Sequence, residues 1–242
     1  MQISDLINII FPLNVGVFKD STKKSIKTIF CGTGFIYESK KKLYLVTALN
    51  VVTGRNIITG SFITQNEYMP DVIFIKTPSA GKKKQQSIIL NLYDENDNPC
   101  WLIHPKYKRN LDIAVIPLEN IPPNLQPLNL FNDEKSNSLN NIKIIGYPLF
   151  LAENDKGTNP VLETVSIVND CKKIFYIDNI SQKGMFGAPV FDYEECLDSV
   201  FIRFLGICSG NEKAENKSPL PVWKTELLED IIKSGIKDSS YL

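Results

Sequence analysis

The sequence is poor in the residues that most often build metal and redox sites. It has one histidine, His104, and its five cysteines form no Cys-x-x-Cys pair. Metal centres need clustered His and Cys ligands, so this scarcity argues against a metal site, and no cofactor is expected. An odd number of widely spaced cysteines in a chain with no recognisable leader predicts free, buried thiols in a reducing compartment.

The chain also lacks an excess of charge of either sign and a long apolar run. It carries 27 basic and 27 acidic residues, whereas a broad nucleic-acid interface needs a basic surplus. No low-charge segment is long enough to span a membrane, and the N-terminal residues show no basic region followed by an unbroken apolar stretch. We therefore expect a cytoplasmic protein that binds neither nucleic acid nor membrane.

The sequence does contain a series of short apolar segments separated by Gly, Pro, Asn and Asp. Such spacing is typical of β-sandwiches and β-barrels. The predicted strands are Val15–Phe18, Ile29–Tyr37, Leu43–Ala48, Val72–Lys76, Ser87–Leu92, Ala114–Pro117, Ile142–Gly146, Leu162–Val168, Ile174–Ile177, Val190–Asp192 and Phe201–Cys208. Near the C-terminus, Leu227, Leu228, Ile231 and Ile232 follow helical spacing before Gly235, which predicts a helix over about 223–234.

Several short motifs point to one family. They are Gly32-Thr-Gly-Phe35, Tyr44 to Val52, Trp101 to Pro105 with Leu111 to Ile116, Gly146-Tyr-Pro148, Ser181 to Phe191, and Leu205 to Gly210. In this order and spacing they resemble the chymotrypsin/trypsin-like serine proteases, and in particular the bacterial trypsin-like peptidase domains. The resemblance implies one all-β domain over 1–242, with two six-stranded antiparallel barrels at about 10–120 and 125–212 and a C-terminal helix.

The resemblance places the three catalytic positions at residues that cannot perform the reaction together. The histidine would fall at Asn50, the aspartate at Asp112 and the serine at Phe186. A phenyl ring carries no nucleophile, and an amide has no useful basicity near neutral pH. The resemblance therefore implies a pseudoprotease with a vestigial triad. The Asn50 side-chain amide could still donate a hydrogen bond to Asp112.

The same resemblance implies where a protein or peptide partner would bind. The segment from Cys208 to Gly210 would be an edge strand beside the old substrate cleft, where an extended peptide could pair through backbone hydrogen bonds. The remnant of the oxyanion loop would be Gly184, Met185 and Gly187. The candidate cleft residues are Phe186, Cys208, Ser209 and Gly210.

Two interpretations of Phe186 remain open. The ring could project into the cleft with Met185 beside it and anchor a bound peptide. It could instead fold inward and fill the space left by the lost chemistry, which is the preferred interpretation and would contribute about 2 kcal/mol of burial.

Two other functions also remain open. A rearranged peptidase could use Cys208 or Ser209 as nucleophile with His104 as base, and a purely structural subunit would use no cleft at all. By analogy with the family, a standalone bacterial domain of this kind would work in a multi-protein stress or defence module. The sequence identifies neither the partner nor the oligomeric state.

Overall fold

Two curled antiparallel sheets form the body of the molecule. The computed structural model describes residues 6, 9–19, 22, 25–64, 67–76, 87–119, 127–128, 141–147, 160–178, 185–196, 199–209 and 218–238, with the backbone alone for 195, 196, 199 and 200. The strands are β1 Ile10–Phe18, β2 Ile26–Ser39, β3 Lys42–Thr47, β4 Val72–Lys76, β5 Ser87–Asn91, β6 Ala114–Leu118, β7 Ile142–Gly146, β8 Val161–Val165, β9 Ile167–Asp170, β10 Ile174–Ile177, β11 Pro189–Cys196, β12 Ser199–Cys208 and β13 Leu220–Lys224. The helices are α1 Leu49–Thr53 and α2 Thr225–Ser234.

The first sheet contains six strands in the order β5-β4-β1-β2-β3-β6. Its core is a cluster of buried apolar side chains that includes Phe11, Ile36, Leu45 and Trp101. The short helix α1 begins directly after β3, and all five of its residues are buried. Because Thr47 ends β3 and Asn50 lies within α1, this junction fixes the position of Asn50 relative to the first sheet.

The second sheet contains seven strands in the order β8-β7-β11-β12-β13-β10-β9. Strand β12 lies between β11 and β13, pairing Ile207 with Pro189 on one side and with Trp223 on the other. The prediction that Cys208 belongs to a free edge strand is therefore wrong. Gly210, the last residue of that predicted edge, lies outside the described residues, as does Gly184.

Helix α2 covers the apolar surface where the two sheets meet. Leu227, Leu228 and Ile231 are buried and belong to the same cluster as residues from both sheets, among them Phe35 and Phe191. The predicted all-β, chymotrypsin-like fold with a C-terminal helix is confirmed, although the two sheets are curled half-barrels of six and seven strands among the described residues.

Candidate functional site

The buried carboxylate of Asp112 lies at the centre of the candidate site. Its Oδ1 accepts a hydrogen bond from the Asn50 backbone N–H at 2.9 Å, and its Oδ2 accepts one from the Ser209 hydroxyl at 2.6 Å. Asp112 is 0% exposed, and Ser209 is 1% exposed. Because hydrogen bonds to an ionised acceptor in a buried environment are strong, the carboxylate joins α1 of the first sheet to the end of β12 in the second.

Asn50 contacts Asp112 through its backbone. The predicted hydrogen bond from its side-chain amide to the carboxylate is absent from the described contacts, since the donor is the backbone N–H. The Asn50 side chain is buried, and its Oδ1 has no hydrogen-bond partner among the described residues. The Asn50 side chain therefore has an acceptor oxygen and an amide N–H2 donor, but no basic nitrogen that could take a proton from a nucleophile.

A tight turn at Phe186 and Gly187 lies beside α1. The Ala188 N–H donates to the Met185 carbonyl at 3.0 Å and closes the turn. The Thr33 N–H donates to the Phe186 carbonyl at 3.0 Å, and the Gly187 N–H donates to the Cys208 carbonyl at 2.9 Å. The backbone of this turn therefore bonds to β2 in the first sheet and to β12 in the second.

Gly187 approaches the first sheet so closely that no side chain fits there. Its φ is +84°, and a Cβ at this position would lie 2.3 Å from the Thr33 carbonyl oxygen and 2.8 Å from the Ala48 nitrogen. Ala48 is two residues before Asn50, so the Phe186–Gly187 turn and the Asn50–Asp112 pair occupy one place. The structure thus brings Asn50, Asp112, Phe186, Cys208 and Ser209 together.

The side chains next to this turn point into the two cores. Phe186 is partly buried and packs against the core of the first sheet. Met185 is 1% exposed and belongs to the core of the second sheet, where its Sδ would lie 2.8 Å from a Cβ added at Gly146. The anchor interpretation, which needs Met185 exposed beside Phe186, is therefore wrong for Met185. The inward position of Phe186 agrees with the other interpretation.

Cys208 and Ser209 do not present side chains to solvent. Cys208 is 0% exposed, and burial together with the nearby Asp112 carboxylate raises the pKa of its thiol to about 12. The Cys208 N–H donates to the Ala188 carbonyl at 2.8 Å, and the Ser209 N–H donates to the Pro221 carbonyl at 2.9 Å. The backbone here is bonded to the Gly187–Ala188 turn on one side and to β13 on the other, so Cys208 is neither a peptide-pairing edge nor a cleft side chain as predicted. Ser209 stays a cleft candidate, because it lines the cavity between the sheets.

His104 lies in a different environment. Its Nδ1 accepts hydrogen bonds from the backbone N–H groups of Lys106 at 3.0 Å and Tyr107 at 3.2 Å. Its Nε2 lies 3.7 Å from the Asp230 carboxylate on α2. Nδ1 is thus an acceptor, so the ring proton of the neutral form lies on Nε2, facing Asp230. The contacts of His104 are with its own turn and with α2, and none is with Cys208 or Ser209.

The described cysteines differ in exposure. Cys31, Cys100, Cys171 and Cys208 are free thiols, but only Cys208 is buried and Cys171 is exposed. The prediction that the thiols are buried is therefore wrong for the other three. Among the described residues, no group of three His, Cys, Asp or Glu side chains is placed to hold a metal ion. In the same part of the chain, no helix combines the length and apolar character needed to cross a membrane.

Cys208 is expected to resist alkylation in the folded protein. The thiolate is the reactive species, and a thiol with a pKa of about 12 is almost entirely protonated at pH 8. We expect iodoacetamide to modify Cys208 at least roughly 100-fold more slowly than the exposed Cys171, which is the internal control. Mass spectrometry of tryptic peptides measures both rates. Comparable rates in the native protein would contradict the buried position of Cys208.

A cavity of about 590 Å³ opens beside this cluster, between the two sheets. On one side it is lined by α1 and the loop after it, including Leu49, Arg55 and Ile58, and by Arg109. Strands β10 and β13 form the other side. Ser209 also lines the cavity, so the Asp112 cluster forms part of its wall. The further lining residues are Thr53, Asn56, Ile57, Thr59, Gly60, Asn110, Ile174, Tyr176, Pro219, Pro221 and Trp223.

Sequence reasoning missed most of the residues that line this cavity. Arg55, Arg109, Tyr176 and Trp223 belong to four separate segments, and none of them lies in a recognised functional motif. The two arginines are the main chemical feature, since none of the described lining residues is Asp or Glu. A local pattern contains no signal for this charge asymmetry, because it arises only when the two sheets come together.

The geometry has counterparts among known proteins. The profile of the trypsin-like peptidase domain family matches residues 32–197. The fold is similar to the crystal structures of two scabies mite inactivated protease paralogues. For S-I1 the identity is 14% and the TM-score 0.54, with 96% of this chain and 97% of that chain covered. For S-D1 the corresponding values are 14%, 0.52, 96% and 95%.

The fold is also similar to that of a protein described as a serine protease. The thermostable serine protease AL20 from an extremophilic microorganism is 11% identical, with a TM-score of 0.54 and coverage of 94% of this chain and 97% of that chain. A search of curated protein sequences gave no significant match. At these identities the solved structures show the fold alone, whereas the family profile spans more than half of the chain. The chain therefore belongs to the trypsin-like peptidase domain family.

Proposed function

We propose that this chain is a catalytically inactive serine-protease homologue that acts as a protein- or peptide-binding subunit. The observation that carries the proposal is the environment of Asp112. Its carboxylate accepts the Asn50 backbone N–H and the Ser209 hydroxyl, and the residues next to it are an asparagine and a phenylalanine turn. Hydrolysis by this fold needs a hydroxyl nucleophile, an imidazole base and the carboxylate, and only the carboxylate is supplied here.

The rearranged-peptidase alternative receives no support from the contacts. Cys208 is buried with a pKa of about 12, so little thiolate would form near neutral pH. The Ser209 hydroxyl donates to Asp112, and the His104 nitrogens face backbone amides and Asp230. A nucleophile and its base must lie within hydrogen-bond reach of each other, and these groups have other partners.

The binding part of the proposal is supported by the open cavity beside Ser209. A volume of about 590 Å³ is within the range of natural ligand pockets, which are mostly apolar with a few polar groups. One wall of this cavity is apolar, with isoleucine, proline and tryptophan side chains, and the facing wall is largely polar, with Thr53, Asn56, Thr59, Asn110 and two arginines. A purely structural subunit would have no use for such a cavity. Finding a peptide or protein that occupies it would separate the two functions.

The purified protein is expected to hydrolyse no peptide bond. Because Phe186 and Asn50 occupy the nucleophile and base positions, a fluorophosphonate probe should leave the protein unlabelled, and a mixed peptide library should stay intact. An active trypsin-like protease at equal concentration is the positive control. Cleavage that persists through stringent purification and disappears in His104→Ala would overturn the proposal.

The roles assigned to the two replaced positions can be tested in the same assay. Asn50→His and Phe186→Ser are each expected to remain unlabelled by the fluorophosphonate, because the triad acts as a unit. Only the double variant can regain weak labelling with Asp112. If either single variant is labelled as strongly as the double variant, these positions do not have the assigned roles.

A further inference from the structure

Two cationic side chains line the cavity between the sheets. It is lined by Arg55 and Arg109, and among the residues that the structure describes no Asp or Glu side chain lines it. The whole chain has 27 basic and 27 acidic residues, so this asymmetry is local and does not reflect the composition. Two guanidinium groups in one cavity favour an anionic ligand, because charge-assisted hydrogen bonds from a guanidinium to a carboxylate are stronger than neutral ones.

Arg55 is held in place with donors to spare. Its Nη1 donates to the Gly60 carbonyl at 3.0 Å, and its guanidinium carbon lies 3.9 Å from the centre of the Phe62 ring. The Nε atom has no hydrogen-bond partner among the described residues. A guanidinium group has five N–H donors, so a fixed Arg55 can still bind a carboxylate.

Arg109 is exposed, and its charge is not paired within the described part of the chain. It lies in the short 3-10 turn Lys108–Asn110, where the neighbouring Lys108 instead forms an ion pair with Asp238 at 3.3 Å. Lys108 does not line the cavity, whereas Arg109 does. Of the two neighbouring cations, Lys108 therefore pairs with Asp238, whereas Arg109 remains at the cavity.

The opposite wall is apolar and aromatic. Ile174 and Tyr176 of β10 and Trp223 of β13 line it, and the Trp223 indole N–H has no hydrogen-bond partner among the described residues. A ligand that matches both walls has a negative group next to an apolar one. A short segment of polypeptide with Asp or Glu beside an apolar residue has this chemistry and fits a volume of this size.

We infer that the cavity binds an acidic peptide segment of the partner. A carboxylate of that segment bonds to Arg55 and Arg109, and an adjacent apolar side chain packs on Trp223 and Tyr176. This inference rests on the proposed binding function and adds the chemical class of the ligand. A nucleic acid also carries anionic groups, but it requires a broad basic surface, which the balanced charge of this chain does not favour.

The test uses the full-length protein, immobilised, and a random hexapeptide library with acetylated N-termini, read out by mass spectrometry. Asp or Glu should be enriched about tenfold over Asn or Gln in at least one position, and the enrichment should weaken at high salt. The enriched peptide and its Asn/Gln counterpart are then compared by isothermal titration calorimetry. The acidic peptide should bind about tenfold more tightly.

The variants assign the effect to the cavity. Arg109→Gln is expected to weaken the binding of the acidic peptide about tenfold. Because Arg109 is exposed, the fold should be unchanged. Arg55→Lys keeps the charge but loses the planar fork, and should also weaken binding. The matched control is Lys106→Gln, which removes the same charge from a nearby exposed residue outside the cavity and should bind as the wild type does.

Several outcomes would overturn the inference. If the enriched peptides carry no acidic preference, the inference fails while the proposed binding function stands. If Arg109→Gln and Lys106→Gln lose the same affinity for the acidic peptide, the preference arises from the overall charge of this surface and not from the cavity. If a single-stranded DNA hexamer binds more tightly than any peptide, the ligand of the cavity is a nucleic acid and the inference of an acidic peptide is wrong.

Two further results separate the inference from the proposed function. Cleaved library peptides would contradict the proposal that the chain is catalytically inactive. The enrichment of Asp and Glu would still be measured on the peptides that remain intact, so the inference about the ligand is tested separately. A tenfold gain in affinity for the acidic peptide in Glu212→Gln/Glu215→Gln would mean that the chain's own acidic residues compete for the cavity, and the inference that a partner supplies its natural occupant would fail.

Discussion

Gly187→Ala is expected to lose about 3–5 kcal/mol of the free energy of unfolding, a large share of the roughly 5–15 kcal/mol that a domain typically has. The backbone at this residue has φ +84°, which an L-residue with a side chain adopts at a cost. The added Cβ would also lie 2.3 Å from the Thr33 carbonyl oxygen and 2.5 Å from Thr47 Oγ1. Urea denaturation followed by far-UV circular dichroism measures the loss.

Gly60→Ala is the matched control for this result. Gly60 has φ +72°, but no heavy atom lies within 4 Å of a Cβ added there. It therefore tests the conformational cost alone, about 1–2 kcal/mol. The difference between the two variants isolates the close approach of Gly187 to the first sheet. Similar losses in both would show that the turn relaxes away from Thr33 and that the approach is not required.

Asp112→Ala is expected to cost about 3 kcal/mol of the free energy of unfolding. The change removes the acceptor for the Asn50 N–H and the Ser209 hydroxyl in a place where Asp112 is 0% exposed. Buried donors that lose their acceptor keep their full desolvation cost. The midpoint of urea denaturation, compared with the wild type, measures the effect.

A double-mutant cycle with Ser209→Ala identifies the source of that loss. Ser209→Ala alone removes one donor and should cost about 1–2 kcal/mol. Because both residues share one hydrogen bond, the double variant should lose less than the two single losses combined. Strict additivity would mean that the Ser209–Asp112 bond contributes nothing. A stable Asp112→Ala protein would mean that the carboxylate is not needed for the fold.

The fold was predictable because its strands carry their own signals. Val72–Lys76 and Ile142–Gly146 were predicted at the bounds that the structure has. Strand β13 was missed because Pro219 and Pro221 argue against an inner strand. Pro221 has no N–H to donate, but its carbonyl still accepts a hydrogen bond from the Ser209 N–H, so the strand pairs at this residue. The same pairing of β12 with β13 removed the predicted free edge.

The site was predictable only as far as the order of its motifs. The order of the motifs predicted that Asn50, Asp112 and the Phe186 turn lie together, and the structure places them together. The direction of each side chain depends on packing between sheets, so Met185 and Cys208 were wrongly expected at the cleft. That Arg55 and Arg109 line the same cavity depends on tertiary structure alone, and no spacing in the sequence predicts it.

The turn at Phe186 and Gly187 also bears on how the molecule unfolds. The Phe186 carbonyl accepts a hydrogen bond from Thr33 of β2, and the Gly187 N–H donates one to Cys208 of β12. The Thr33 hydroxyl in turn accepts the N–H of Tyr147, which follows β7, at 2.9 Å. Opening either half-barrel therefore exposes backbone groups that the other half-barrel had satisfied. We therefore expect the two halves to unfold as a single cooperative unit.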